Sequence, residues 1–323
     1  LSTRIRILFG LRRDESRLVT GLFLHYFFQG FALALMIIIA NAEFLSTHPI
    51  HQLPVVYMLA AVVMLLFGRV YAWLEHKLDL KRLFFSIALI ILCLSVTSWA
   101  GFSFIDSAYI SFGLIVAYRV IYLLANLEFW GLSATLFDVR QSKRLFGLIS
   151  AGDVPAKLLG YLSASLLTPI IGTQDILLIS TVSFLFSVLV MNRVMSEQEL
   201  HAGEHEGHHR HEHGSHFFQH FFGSKLVVTL ALLSAIAMIS VTAIDYAFLS
   251  GVKQRFHSDV ELARFLGFFF ALGSAITIFI KLFMAGRVVN KFGVIPALLA
   301  LPVLLLIVTI AIIISNYASV TGF

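Results

Sequence analysis

The chain predicts an all-α fold, a polytopic bundle of membrane-spanning helices, and three observations lead there. Of its 323 residues 59% are apolar and only 13% charged, with a mean hydropathy of +0.91. Soluble proteins carry about 25% charged and about 45–50% apolar residues, and a water-soluble domain of this size could not bury the excess. The apolar residues also fall in runs of about 20, the length a helix needs to cross hydrocarbon while satisfying its own backbone. Finally, lysine and arginine are concentrated in alternate loops. A soluble enzyme, a disordered tail, a coiled coil and a disulfide scaffold are excluded. The single cysteine, Cys93, permits no internal disulfide and leaves the redox compartment open.

Nine apolar runs are expected as spans, near 18–41, 52–75, 82–102, 107–137, 146–170, 174–193, 225–250, 261–285 and 293–315. The fourth exceeds the hydrocarbon thickness and should tilt or project beyond it. Residues 1–17 form an arginine-rich N-terminal segment that faces the cytoplasm. The run that follows is longer than a signal-peptide core and has no small-residue cleavage site after it, so it reads as a retained span. Residues 18–195 then make a first six-helix bundle, 196–224 a His-rich cytoplasmic linker, and 225–323 an incomplete second bundle of three helices. Because the chain opens on Leu1 and stops after the ninth span, it is expected to be a stretch of a larger protein.

Charge sorting gives the orientation. With the N-terminus inside, 17 of the 23 lysines and arginines face the cytoplasm: Arg4, Arg6, Arg12, Arg13, Arg17, Arg69, Lys77, Lys81, Arg82, Arg140, Lys143, Arg144, Arg193, Arg210, Lys225, Arg287 and Lys291. Only Lys253, Arg255 and Arg264 face outward, and Arg119, Lys157 and Lys281 fall within spans. The expected location is the plasma (inner) membrane. The net charge of +5 is therefore a topology signal and not a nucleic-acid signal.

An internal repeat is also visible. Gly68-Arg69-Val70 near the end of the second span returns 218 residues later as Gly286-Arg287-Val288 in the eighth. The glycine would allow close helix approach, and the cation would sit by the carbonyls of a cytoplasmic helix end. Six-helix halves repeated about an axis along the membrane normal build one large transporter architecture. At both places the chain resembles the major facilitator superfamily, although no Asp-Arg pair follows Gly68. The resemblance implies twelve spans, of which nine are here, and makes Gly68, Arg69, Gly286 and Arg287 structural or gating residues.

A second resemblance is more specific. Residues 128–132 read Glu128-Phe129-Trp130-Gly131-Leu132, and 141–149 read Gln141-Ser142-Lys143-Arg144-Leu145-Phe146-Gly147-Leu148-Ile149. This stretch is similar to the bacterial and plastid ATP/ADP exchanger family. The resemblance implies nucleotide exchange, and C-terminal soluble domains beyond this chain as partners.

Charged groups inside a membrane should face a cavity or a partner. Arg119, Tyr122, Asn126, Trp130 and Ser133 share one face of the fourth span. A fixed cation, a phenol and an amide in one stripe suit an anionic, ring-bearing solute, since guanidinium matches phosphate oxygens; the alternative is an interhelical hydrogen-bond seam. Glu128 lies about 180° around the helix from Arg119, so it must meet another helix or the cytoplasmic mouth, as a binding or gating residue or in a structural ion pair. Asp153 and Lys157 are spaced i, i+4 and can neutralise each other, either as a structural pair or with Lys157 released to a phosphate. Gly152, Ala156, Gly160 and Ala164 form a small-residue ridge for close packing. Asp245 has no local partner, and the repeat places it near the level of His25; both are candidates for binding a proton or the solute. Lys281 is explained by snorkelling.

Residues 201–220 hold eight histidines, including His205, His208, His209, His211 and His213. Neutral imidazoles bind zinc, nickel or copper, here weakly and without fixed geometry. A solvated linker with incidental metal affinity and a sensing or delivery segment both fit.

Three functions therefore compete. One is secondary transport of a small organic anion, ATP/ADP foremost, by alternating access through Arg119, Tyr122, Asn126, Glu128, Lys157 and Asp245. The others are a metal-ion transporter with a His-rich loop and a non-transporting membrane sensor. No nucleophile–base arrangement, phosphate-binding loop or dinucleotide fingerprint occurs, so neither catalysis nor a resident cofactor is expected.

Overall fold

The computed structural model describes residues 15–105, 109–137, 149–199 and 225–280, with single positions at 141, 145, 303, 307 and 310. Residues 1–14, most of 138–148, the histidine tract with His205, His208, His209, His211 and His213, and Lys281, Gly286 and Arg287 lie outside these residues, as does nearly all of the ninth run.

Every regular element described is helical. The order is α1 Glu15–Thr47, a 3₁₀ turn Ile50–Gln52, α2 Leu53–Lys77, α3 Leu80–Phe104, α4 Tyr109–Leu136, α5 Asp153–Glu199, α6 Lys225–Arg255 and α7 Asp259–Phe279. All seven α-helices are long and apolar enough to cross a membrane. They are the elements expected from the first eight apolar runs, because α5 absorbs two of them. The chain divides into two compact units, Leu1–Ala271 and Leu272–Phe323, and the packing below concerns the first.

α5 is continuous in sequence but not in direction. At Gly172 the backbone takes φ +85° and ψ 169°, a conformation open to glycine and strained for a residue with a Cβ. The packing partners on α1 show which way each limb runs. At the first limb, 153–171, a Cβ on Gly152, just before it, would lie 2.9 Å from the Phe23 carbonyl oxygen, and one on Gly160 would lie 2.9 Å from that of Phe31. Partners on α1 thus advance with residue number. In limb 173–199 they retreat: Ser180 donates to the Ala32 carbonyl at 2.8 Å, Ser183 to that of Phe28 at 2.8 Å and Ser187 to that of His25 at 3.2 Å. The chain reverses at Gly172, so α5 makes two antiparallel passes beside α1. The first begins at Asp153 and not at 146, with Pro155 in the opening turn, where its missing N–H costs nothing.

α1 is the centre of this packing. Leu22, Ala32, Leu35, Met36, Ile38 and Ile39 are all sealed, as expected of a helix apolar on every side. Lipid is as apolar as these side chains, so association rests on close fit and interhelical hydrogen bonds, each worth about 0.6 kcal/mol on average. The ridge Gly152, Ala156, Gly160 and Ala164 supplies the fit, and the serines of the second limb supply the bonds. α2 is peripheral, fully burying Leu53, Val56 and Ala60 and half-burying residues such as Tyr57 and Phe67 while Met58, Val62, Leu65 and Leu66 face outward.

Gly68 departs from expectation. It lies inside α2, which continues to Lys77, and a Cβ there would meet no atom within 4 Å. Among the described residues no helix approaches at this glycine, and the exposed Arg69 beside it is not at a helix end.

Contacts at helix ends agree with alternating passes. Lys253, at the end of α6, donates to the carbonyls of Leu45 and His48 at the end of α1. The start of α7 meets the α5 turn, through Asp259 with Thr173 and the Arg264 carbonyl with Ser165. These ends therefore share one membrane face.

Candidate functional site

α4 carries the polar face that the sequence singles out, and neighbouring helices supply partners to part of it. The Arg119 guanidinium lies 4.6 Å from the centre of the Tyr57 ring on α2, and its Nη2 is 3.7 Å from Oδ2 of Asp245 on α6. Tyr57 donates its hydroxyl to the same Oδ2 at 2.5 Å. Asp245 is thus paired, with α2 and α4 and not with His25. The pairing is loose on the arginine side: among the described residues the buried Nε makes no hydrogen bond, and the ion pair of this five-donor group is a long one.

One turn further along α4, Tyr122 marks the second cation. Lys157 Nζ, on the first limb of α5, lies 6.0 Å from the Tyr122 ring centre and 2.8 Å from Oδ2 of Asp153. Tyr118 lies 6.1 Å from Tyr122, centre to centre. Two cations on two helices therefore approach the same short stretch of α4. Both stay partly open, with 32% of the Arg119 side chain and 26% of the Lys157 side chain exposed.

The remaining members of the stripe divide. Asn126 donates its amide to the Tyr122 carbonyl at 2.8 Å, engaging its own helix. Trp130 is partly exposed and packs edge-on against Phe129 and Tyr26. Ser133 is buried with its hydroxyl unpaired.

Glu128 belongs to a different environment. It points to α1, where His25 Nε2 lies 3.1 Å from both carboxylate oxygens and Gln29 donates to Oε2 at 2.6 Å. Ser187 on the second limb of α5 lies 2.8 Å from His25 Nδ1. His25 and Glu128 are completely buried, so Glu128 touches no solute while this packing holds. Phe129 beside it stacks on Tyr26 with centres 3.7 Å apart.

Sequence reasoning missed Tyr57, Gln29 and the serines of α5. The serine spacing 180, 183, 187 was a readable signal of one helical face; for Tyr57 and Gln29 there was none. Among the described residues no group of three histidine, cysteine or carboxylate side chains could hold a metal ion.

The family described as TLC ATP/ADP transporter matches residues 108–320, about two thirds of the chain. No curated protein and no solved structure matches.

Proposed function

The chain belongs to the TLC ATP/ADP transporter family, a family of nucleotide-exchange transporters, and from that premise we propose that Arg119 and Lys157 together hold the phosphates of the exchanged nucleotide. One observation carries this reading: two partly open cations, Arg119 on α4 and Lys157 on α5, each lie over a phenol ring, that of Tyr57 and that of Tyr122, and among the described residues each pairs with one carboxylate. Paired cations make the empty site affordable inside the membrane. A phosphate chain brings more charge than either aspartate and a geometry that guanidinium matches in two-pronged fashion, so it displaces Asp245 from Arg119 and Asp153 from Lys157. The exposed rings of Tyr122 and Trp130 offer the base an aromatic surface.

The ties differ in what they join. His25, Glu128, Gln29 and Ser187 lie on α1, α4 and α5, within the first six-helix half. Arg119 and Tyr57 bind Asp245 on α6, the first helix of the second half. In a facilitator-like protein of twelve spans with a cytoplasmic N-terminus, which we infer from the charge sorting and the reversal at Gly172, rocking of the halves leaves the first set intact and breaks the second. A nucleotide that takes Arg119 from Asp245 would thus loosen the contact that rocking must break. Asn126 then presents its amide oxygen at the site, and Gly286 and Arg287 serve a loop at which the halves turn, a role that Gly68 and Arg69, inside α2, do not share. The histidine tract remains a loose metal binder, and the family match favours nucleotide over metal as cargo. The protein acts without catalysis.

Reconstituted in liposomes, the protein should accumulate labelled ATP when ADP is inside and not when the lumen is empty. Equal uptake under both conditions, or none with either, would overturn the exchange reading.

A further inference from the structure

Where α1 begins and α5 ends, the two helices enclose a cleft of about 420 Å³. Arg17 and Thr20 of α1 form one rim and Arg193 of α5 the other. Both arginines are exposed, and among the described lining residues none is acidic. Further in, Leu24, Val190 and Val194 make an apolar wall. At Gly21 the two helices touch, since a Cβ there would overlap the Val194 side chain.

The position of the cleft limits what could fill it. Its outer residues stand at the ends of two candidate spans, Ser16–Thr47 and Asp153–Ser196, the level at which hydrocarbon gives way to headgroups. From there the outward face of α5 continues as Val182, Leu185, Phe186 and Leu189, all exposed. A free phosphate or nucleotide would use the two arginines and leave the apolar wall wet. A phospholipid uses both, with its phosphate between the guanidiniums and its acyl chains along the wall and the α5 face. Two cations with no acidic neighbour among the described lining residues also favour an anionic lipid over a zwitterionic one.

We propose that the cleft between Arg17 and Arg193 is a binding site for the phosphate headgroup of an anionic phospholipid. None of its lining residues belongs to the nucleotide site, so the proposal stands or falls separately from the exchange reading.

Native mass spectrometry of the full chain in detergent, with phosphatidylglycerol or phosphatidylcholine added, tests it. The wild type should retain phosphatidylglycerol in preference to phosphatidylcholine. Arg17→Gln/Arg193→Gln should lower that retention about tenfold or more, while Lys77→Gln/Arg82→Gln, which removes equal charge elsewhere, should leave it unchanged. Arg17→Lys/Arg193→Lys, which keeps the charge but loses the fork, should fall between. Undiminished retention by the glutamine pair, equal loss in the control pair, or no preference between the lipids would overturn the site. Displacement of the lipid by inorganic phosphate or ADP at equal concentration would assign the cleft to a water-soluble anion and overturn the lipid assignment.

Discussion

His25 Nε2 stands 3.1 Å from each carboxylate oxygen of Glu128, joining α1 to α4 with both side chains sealed. Removing one partner of a buried pair leaves the other unmatched, at a cost of about 3–5 kcal/mol. Glu128→Leu should therefore lower the thermal unfolding temperature in detergent far more than Glu128→Gln, whose amide oxygen still accepts from Gln29. Adding His25→Leu to Glu128→Leu should recover part of the loss, because the buried imidazole is then no longer stranded. Additive losses in the double variant would show that the two residues act independently.

Two glycines give opposite expectations. A Cβ on Gly160 would lie 2.7 Å from that of Ala34, so Gly160→Ala should destabilise by about 1–3 kcal/mol through overpacking. Gly68 has open space around it, so Gly68→Ala should be neutral or stabilise α2 by up to about 1 kcal/mol. Chemical denaturation of both variants would compare them, and equal effects would contradict the packing described here.

His48, just beyond the end of α1, has its proton affinity lowered from the ordinary 6.5 by burial and by the Lys253 charge. Its Nδ1 lies 2.8 Å from the Thr47 hydroxyl and 3.0 Å from that of Ser111. Since the folded state holds this proton more weakly than the unfolded chain, the contribution is complete above pH 6.5 and is lost as pH falls below it through the folded value. Unfolding temperatures measured from pH 7.5 to 5 should decline less steeply for His48→Gln than for the wild type. Parallel curves would remove His48 from the account.

The aspartates should act as competitors of the solute. Asp153→Asn frees Lys157, and Asp245→Asn frees Arg119 from all but the Tyr57 ring. Equilibrium binding of ADP should tighten in both variants, while exchange slows because release is impaired. Weaker binding in both would mean that the carboxylates support the site and do not compete for it.

The sequence carried those features whose cause is local. Asp153 and Lys157 pair because four residues bring them to the same face of one helix, and the Gly152–Ala164 ridge packs because its spacing is helical. The same arithmetic excluded an Arg119–Glu128 pair. It could not supply the actual partners: Tyr57 and Asp245 come from helices remote in sequence, and His25 meets Glu128 only because α1 lies at the centre of the packing. Gly68 shows the converse. A glycine permits close approach, but only the arrangement of neighbours decides whether a helix uses it. The reversal at Gly172 was legible as a gap between two apolar runs, whereas the serine bonds that fix the register of the second limb required α1 beside it.

If Arg119 and Lys157 bind one phosphate chain together, a double-mutant cycle on nucleotide affinity will show their coupling. Calorimetric titration of ADP and adenosine into the wild type, Arg119→Gln, Lys157→Gln and the double variant separates phosphate from base. Each single variant should lose about tenfold or more in ADP affinity, the double variant should lose less than the two losses combined, and adenosine binding should be unaltered. ADP affinities equal to the wild type in both single variants would contradict joint binding.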